Sequence, residues 1–175
     1  MLEMTQGNIL ETDAEAVVNT VNTVGIMGKG IALQFKKAYP DNYEAYRKAC
    51  DRGEVQLGKV FIYDRQAFAN PKYIINFPTK RHWKGKSRME DIESGLEAML
   101  KAIQELGVKS VAVPPLGAGL GGLKWANVLQ RLEEAFLTMQ DVRWIVYEPS
   151  GAPAAKDMKN RTKRPAMTKA RAAVL

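Results

Sequence analysis

The stretch Ala16-Val17-Val18-Asn19-Thr20-Val21-Asn22-Thr23-Val24-Gly25-Ile26-Met27-Gly28-Lys29-Gly30, continued by Ile31-Ala32-Leu33-Gln34-Phe35-Lys36-Lys37-Ala38, decides the fold class. Residues 16–21 are apolar and rich in β-branched side chains, the signature of a buried strand. Residues 25–30 form a glycine-rich loop. Residues 31–38 then read as a helix, with Ile31, Leu33, Phe35 and Ala38 among the apolar positions. Strand, glycine loop and helix in succession are the repeating unit of a layered α/β domain.

The same alternation runs outward in both directions. Leu2–Thr5 reads as a short first strand. Pro40 ends the helix, and Asp41 is placed to cap a second one over residues 42–50. Residues 59–63 and 73–77 read as strands, with Asn70-Pro71 marking a turn between them. Met89–Leu106 is a long helix carrying Ile92, Leu96, Met99, Leu100 and Ile103 on one face and ending at Gly107. Residues 111–113 form a short buried strand stopped by Pro114-Pro115. A helix over residues 126–139 and a strand over 143–147 complete the pattern. In such folds ligands bind in the loops at the carboxyl ends of strands.

The chain of 175 residues suits one domain. No apolar run approaches the roughly 20 residues that span a membrane. The single cysteine, Cys50, rules out an intramolecular disulfide, and one cysteine with one histidine gives no basis for a structural zinc site. The reading is an intracellular, cytoplasmic protein without a metal or cofactor. The net charge of +7 is uneven: residues 151–175 hold seven Lys or Arg against Asp157, so the tail carries +6 and residues 1–150 only +1. Basicity therefore says little about the folded body. The tail reads as a basic linker, and the helical pattern in residues 168–175 reads as the start of a further domain.

The second glycine loop, Pro115-Leu116-Gly117-Ala118-Gly119-Leu120-Gly121-Gly122-Leu123, formally matches G-x-G-x-x-G at Gly117, Gly119 and Gly122. It comes late in the chain and after two prolines, without the acid a Rossmann fingerprint needs. The first loop is not a Walker A loop, because Gly30 follows Lys29 where Ser or Thr is required. Both loops nevertheless follow strands, and backbone N–H groups exposed by glycine cradle phosphates. Two of them suit a ligand with two adjacent phosphates. Asn19 and Asn22 stand just before the first loop, where amides can bond ribose hydroxyls or cap local turns.

Three blocks together, Gln6-Gly7-Asn8-Ile9-Leu10, then Val18 to Asn22 with Gly28-Lys29-Gly30-Ile31-Ala32, then Pro115 to Leu123, resemble the macrodomain family in order and spacing. The resemblance covers about residues 1–150. It implies a three-layer α/β/α fold with a mixed, largely parallel sheet and a cleft for ADP-ribose. By resemblance, Asn8 and Ile9 lie by the adenine, Asn22 with Gly28, Lys29 and Gly30 by the distal ribose, and Gly117, Ala118, Gly119, Leu120, Gly121, Gly122 and Leu123 around the diphosphate. Asn19 and Ile31 belong to the same binding blocks. Many macrodomains carry an acid where Asn8 stands, to accept from the adenine amino group; an amide oxygen can accept in its place.

Asn76-Phe77-Pro78-Thr79-Lys80 and Gly119-Leu120-x-x-Leu123-x-Trp125 resemble, within that family, the branch of terminal ADP-ribose glycohydrolases and of the DNA ADP-ribosyl glycohydrolase antitoxins called DarG. The resemblance implies Lys80 as the catalytic residue. Relatives directed at protein use an aspartate where Gly121 stands, and its absence favours the DarG branch. That branch removes ADP-ribose from thymidine in single-stranded DNA, opposing a DarT-type toxin as partner. A lysine can attack an opened ribose carbonyl as an amine, transfer a proton, or stabilise the leaving base. The amine roles need neutral lysine, through burial or neighbouring cations. Trp83 is interleaved with Arg81, His82, Lys84, Lys86 and Arg88, a pattern suited to unpaired bases: an aromatic stacks, worth roughly 1–3 kcal/mol per base, while cations hold the backbone. Two other readings use the same cleft: a non-catalytic reader of ADP-ribose, and a hydrolase of protein-linked ADP-ribose.

Overall fold

The computed structural model describes residues 1–150 and Met158. Its strands are β1 (Leu2–Thr5), β2 (Ala16–Val21), β3 (Phe61–Asp64), β4 (Tyr73–Pro78), β5 (Ser110–Val113) and β6 (Arg143–Tyr147), and its helices α1 (Gly30–Ala38), α2 (Pro40–Asp51), α3 (Met89–Leu106) and α4 (Trp125–Phe136). One sheet takes them in the order β1-β6-β5-β2-β4-β3. Every neighbouring pair is parallel except β3 and β4. The sheet is thus mixed and largely parallel, as expected.

Alternate residues of the central strands serve two cores, which is why these strands read as continuous apolar runs. Ala16, Val18, Ile75, Phe77, Val111 and Val113 pack with Ile92, Leu96 and Met99 of α3 and with Val128 and Leu132 of α4. Val17, Ile74, Ala112 and Ile145 face the other way, onto Phe35 of α1. Val21 joins Tyr46 and Ala49 of α2 and Met27 of the first loop. Three layers result. Gly95, inside α3, is where helix and sheet meet most closely: a Cβ there would stand 2.4 Å from Phe77 Cζ.

Element ends depart from the sequence reading for local reasons. Helix α2 begins at Pro40, which occupies its first turn, where the missing N–H costs nothing; Asp41 lies in that turn rather than capping it. Helix α4 stops at Phe136, and the chain closes in turns as Thr138 Oγ1 donates to the Ala135 carbonyl at 2.6 Å. The strand expected over 59–63 runs Phe61–Asp64. Gly107 ends α3 in the left-handed conformation (φ 68°), as its position suggested. The basic tail and the helical pattern of residues 168–175 lie outside the described residues, Met158 apart.

Parallel strands deliver their carboxyl ends to one edge. The loops leaving β1, β6, β5, β2 and β4 therefore lie side by side in that order. Four strand spacings separate the first from the last, roughly 19 Å.

Candidate functional site

Along that edge runs a cleft of about 930 Å³, near the top of the range for small-molecule sites. The loops after β2 and β5 form its middle, the loop after β4 closes one end, and the segments after β1 and β6 close the other.

The middle is built for an anion. Gly30, Ile31, Ala32 and Leu33, the first turn of α1, all line the cleft. Leu33 N reaches back to the Lys29 carbonyl (3.3 Å), the first bond of the helix. The N–H groups before it have no intrahelical acceptor, and Lys29 at the cap position gives no side-chain bond. No acid occupies this turn, so the positive end of the helix dipole is unopposed. Gly30 adopts a positive φ of 60°, and its α-carbon packs under Leu120, whose Cδ1 would be 3.2 Å from a Cβ. Gly117, Gly119, Leu120 and Gly121 line the opposite wall, with Gly28 and Lys29 across from them. Ala118, Gly122 and Leu123 do not line the cleft; they shape the turn behind it, where Leu123 N donates to the Gly117 carbonyl at 2.9 Å.

The two asparagines divide. Asn22 lines the cleft, but its side chain mainly staples the first loop. Its Oδ1 accepts from Val24 N (3.1 Å) and Ile26 N (3.3 Å), and its Nδ2 donates to the Ile26 carbonyl (2.7 Å). The Tyr46 hydroxyl lies 2.9 Å from the same Oδ1, and burial pushes that phenol far above its ordinary pKa, so it stays a donor. Asn19 is fully buried and turned away from the cleft. Its Nδ2 donates to Asn76 Oδ1 at 3.3 Å, and Asn76 in turn forms a two-way amide pair with Asn42 of α2 (2.8 and 3.2 Å). The ribose contact read for Asn19 is thus out of its reach; it braces β2 against β4 and α2. Strand periodicity carried that signal, since Asn19 shares a face with Val17 and Val21.

Lys80 stands at the β4 end. Val21 pairs with Pro78, Thr79 N donates to the Val21 carbonyl (2.9 Å), and Thr23 N donates to the Arg81 carbonyl (3.0 Å). This zipper delivers Lys80 beside Asn22. The lysine is half-buried, and burial lowers its pKa below the usual lysine value. Burial is the cause of that shift. Trp83 lines the cleft at this end and remains 39% exposed. His82 stacks on it (centroids 5.3 Å apart), and Lys84 Nζ sits 4.7 Å from its ring centre. Arg81, His82, Lys84, Lys86 and Arg88 are exposed outside the cleft, with Arg88 paired to Glu90 at 3.4 Å.

Gly121 leaves no room for a side chain. A Cβ there would lie 2.3 Å from Ser87 Oγ and 2.6 Å from the Gly117 carbonyl oxygen. Ser87 is buried, donates its own N–H to the Gly121 carbonyl at 3.0 Å, and has no partner for its hydroxyl among the described residues. The second loop folds onto Ser87, occupying the space an acid at position 121 would need.

At the far end Ile9 lines the cleft with Gly7, while Asn8 does not. Asn8 caps the 3-10 turn Ile9–Glu11, its Oδ1 accepting from Leu10 N at 3.0 Å. Tyr147, Glu148, Pro149, Ser150 and Met158 complete this end. The sequence reading missed them; the pairing of β1 with β6 brings Tyr147 and the residues directly after it to the same end as Gly7.

The Macro domain family model matches residues 18–132. The chain belongs to the Macro domain family. A DNA ADP-ribosyl glycohydrolase of Thermus aquaticus is 56% identical over 175 residues, which are 100% of this chain and 49% of that protein. The macrodomain of Thermus aquaticus DarG superimposes with a TM-score of 0.83 at 60% identity, covering 85% of this chain and 99% of that structure. Thermosipho africanus DarTG in complex with ADP-ribose superimposes with a TM-score of 0.79 at 32% identity, covering 90% of this chain and 44% of that one. A Thermosipho africanus DNA ADP-ribosyl transferase–DNA ADP-ribosyl glycohydrolase fusion protein is 34% identical over 163 residues, 85% of this chain and 42% of that protein. The chain spans about half the length of the curated relatives it matches. Among the described residues no helix is long and apolar enough to cross a membrane.

Proposed function

We propose that this macrodomain binds ADP-ribose along the cleft and hydrolyses its bond to a DNA base, releasing ADP-ribose from thymidine in single-stranded DNA. Three features of the cleft support one orientation. The diphosphate takes the bare N-terminus of α1 and the second glycine loop. The distal ribose reaches Lys80, and adenosine extends toward β1 and β6. Lys80 carries the reading: it is a partly desolvated amine, pinned by the β2–β4 zipper at the end of an anion-binding cleft.

A neutral Lys80 amine attacks the anomeric carbon of the distal ribose as the bond to the base nitrogen breaks; water then hydrolyses the lysine adduct and frees ADP-ribose. The base nitrogen leaves with the bonding electrons and takes up the proton given up by the newly alkylated lysine nitrogen, so the base departs neutral. The base departs toward Trp83, whose exposed face can stack on it. The crowding at Gly121 supports a linkage to a base over one to a protein carboxylate, because the site has no place for a second-loop acid. The name of the Thermus aquaticus relative supports ADP-ribosylated DNA as the substrate class, and the fused Thermosipho africanus relative supports a DarT-type ADP-ribosyltransferase as the partner whose modification is reversed.

Product analysis on matched substrates tests the choice. ADP-ribose should be released from a thymidine-modified single strand and not from ADP-ribosylated protein glutamate. Release only from protein would overturn the DNA reading, and tight ADP-ribose binding without release from either substrate would leave a reader.

A further inference from the structure

Glu148 is the one carboxylate among the described residues lining the cleft, in a site otherwise arranged for an anionic ligand. It leaves β6, three strand spacings from the strand that delivers Lys80, roughly 14 Å along the edge. The phosphate-binding elements lie between. A carboxylate beside a phosphate would repel it, so Glu148 must face a part of the ligand that donates hydrogen bonds. Gln6 Nε2 donates to Glu148 Oε2 at 2.8 Å, orienting the carboxylate. Among the described residues nothing is bonded to Oε1.

Asn8, to which the sequence reading gave the adenine amino group, is otherwise engaged. Its Oδ1 takes Leu10 N at 3.0 Å and stands 3.5 Å from Gln34 Nε2, and its side chain does not line the cleft.

We propose that Glu148, oriented by Gln6, is the specificity-determining residue for adenine, its free carboxylate oxygen accepting the exocyclic amino group. This rests on the ADP-ribose reading and adds to it the residue that selects the base. The competing donors at this end are the hydroxyls of the adenosine ribose. They are shared by ADP-ribose and its hypoxanthine analogue, inosine diphosphate ribose, so that pair of ligands isolates the base. Hypoxanthine presents a carbonyl where adenine presents the amino group, and a carboxylate repels it.

The experiment is calorimetric titration of both ligands into wild type, Glu148→Gln and Asn8→Ser. Wild type should prefer ADP-ribose by about 10-fold or more, the scale of a charge-assisted hydrogen bond. Glu148→Gln should bring the ratio near one, since its amide can donate to the hypoxanthine carbonyl; retained affinity for the analogue would show that the variant is folded. Asn8→Ser should leave the ratio unchanged. A ratio preserved in Glu148→Gln, or one that collapses in Asn8→Ser instead, would overturn the proposal while leaving ADP-ribose binding intact. Absence of ADP-ribose binding by wild type would overturn both this proposal and the reading beneath it.

Discussion

Replacing Gly121 by alanine should cost the ligand-free protein about 1–3 kcal/mol, the usual penalty for forcing a methyl group into filled space. The new Cβ would lie 2.3 Å from Ser87 Oγ, 2.9 Å from Ser87 Cβ and 2.6 Å from the Gly117 carbonyl oxygen, so the second loop must move off Ser87. Gly119, two residues earlier, is the matched control: nothing lies within 4 Å of a Cβ there, and its φ is not positive. Gly119→Ala should be neutral or stabilise by roughly 0.4–1 kcal/mol through the unfolded chain. Denaturant unfolding of both variants measures the difference, which corresponds to roughly 2–4 °C of Tm per kcal/mol for a chain of this size. Ser87→Gly combined with Gly121→Ala removes the 2.3 and 2.9 Å contacts and keeps the one at 2.6 Å, so it should recover part of the loss. Equal stabilities of Gly121→Ala and Gly119→Ala would refute the account of why this loop holds no acid.

Other outcomes follow from the same geometry. Burial lowers the Lys80 pKa, so the reactive amine is populated at lower pH than for an ordinary lysine. Single-turnover rates should rise with pH and level off below the usual lysine range; a flat or falling profile would count against the amine role. Trp83→Ala should weaken binding of modified single-stranded DNA by about 1–3 kcal/mol while affecting free ADP-ribose much less, which fluorescence anisotropy and calorimetry can separate. Met158 is 8% exposed and lines the cleft, at the end where the proposed function puts adenosine. Met158→Ala should therefore weaken ADP-ribose binding by up to about 1–2 kcal/mol, and unchanged affinity would remove Met158 from the site.

The fold was legible where one physical signal dominates. β2 was read to its exact bounds because both of its faces are buried, and α3 because its apolar stripe ends at a left-handed glycine. The bounds of α2 and α4 were misplaced because Pro40 can begin a helix as well as end one, and because turns after Phe136 continue an apolar pattern that the helix does not. In the site, the glycine loops carried a local strand–loop signal and line the cleft, whereas Lys80, which also lines it, was singled out by the family resemblance and not by its spacing. Asn19 was misassigned by proximity to the loop when its strand parity pointed inward. Glu148, Tyr147 and Met158 had no local signal. Tyr147 and Glu148 join Gly7 through the pairing of the first strand with the last, and strand order is a long-range property that spacing along the chain does not encode.

The most direct test is release of ADP-ribose from thymidine-modified single-stranded DNA by wild type and Lys80→Ala, with ADP-ribose affinity measured for both. The account predicts turnover by wild type and its loss in the variant, with binding retained. Turnover that survives in Lys80→Ala would contradict the role of Lys80, and wild type that binds ADP-ribose yet releases none would contradict the hydrolase.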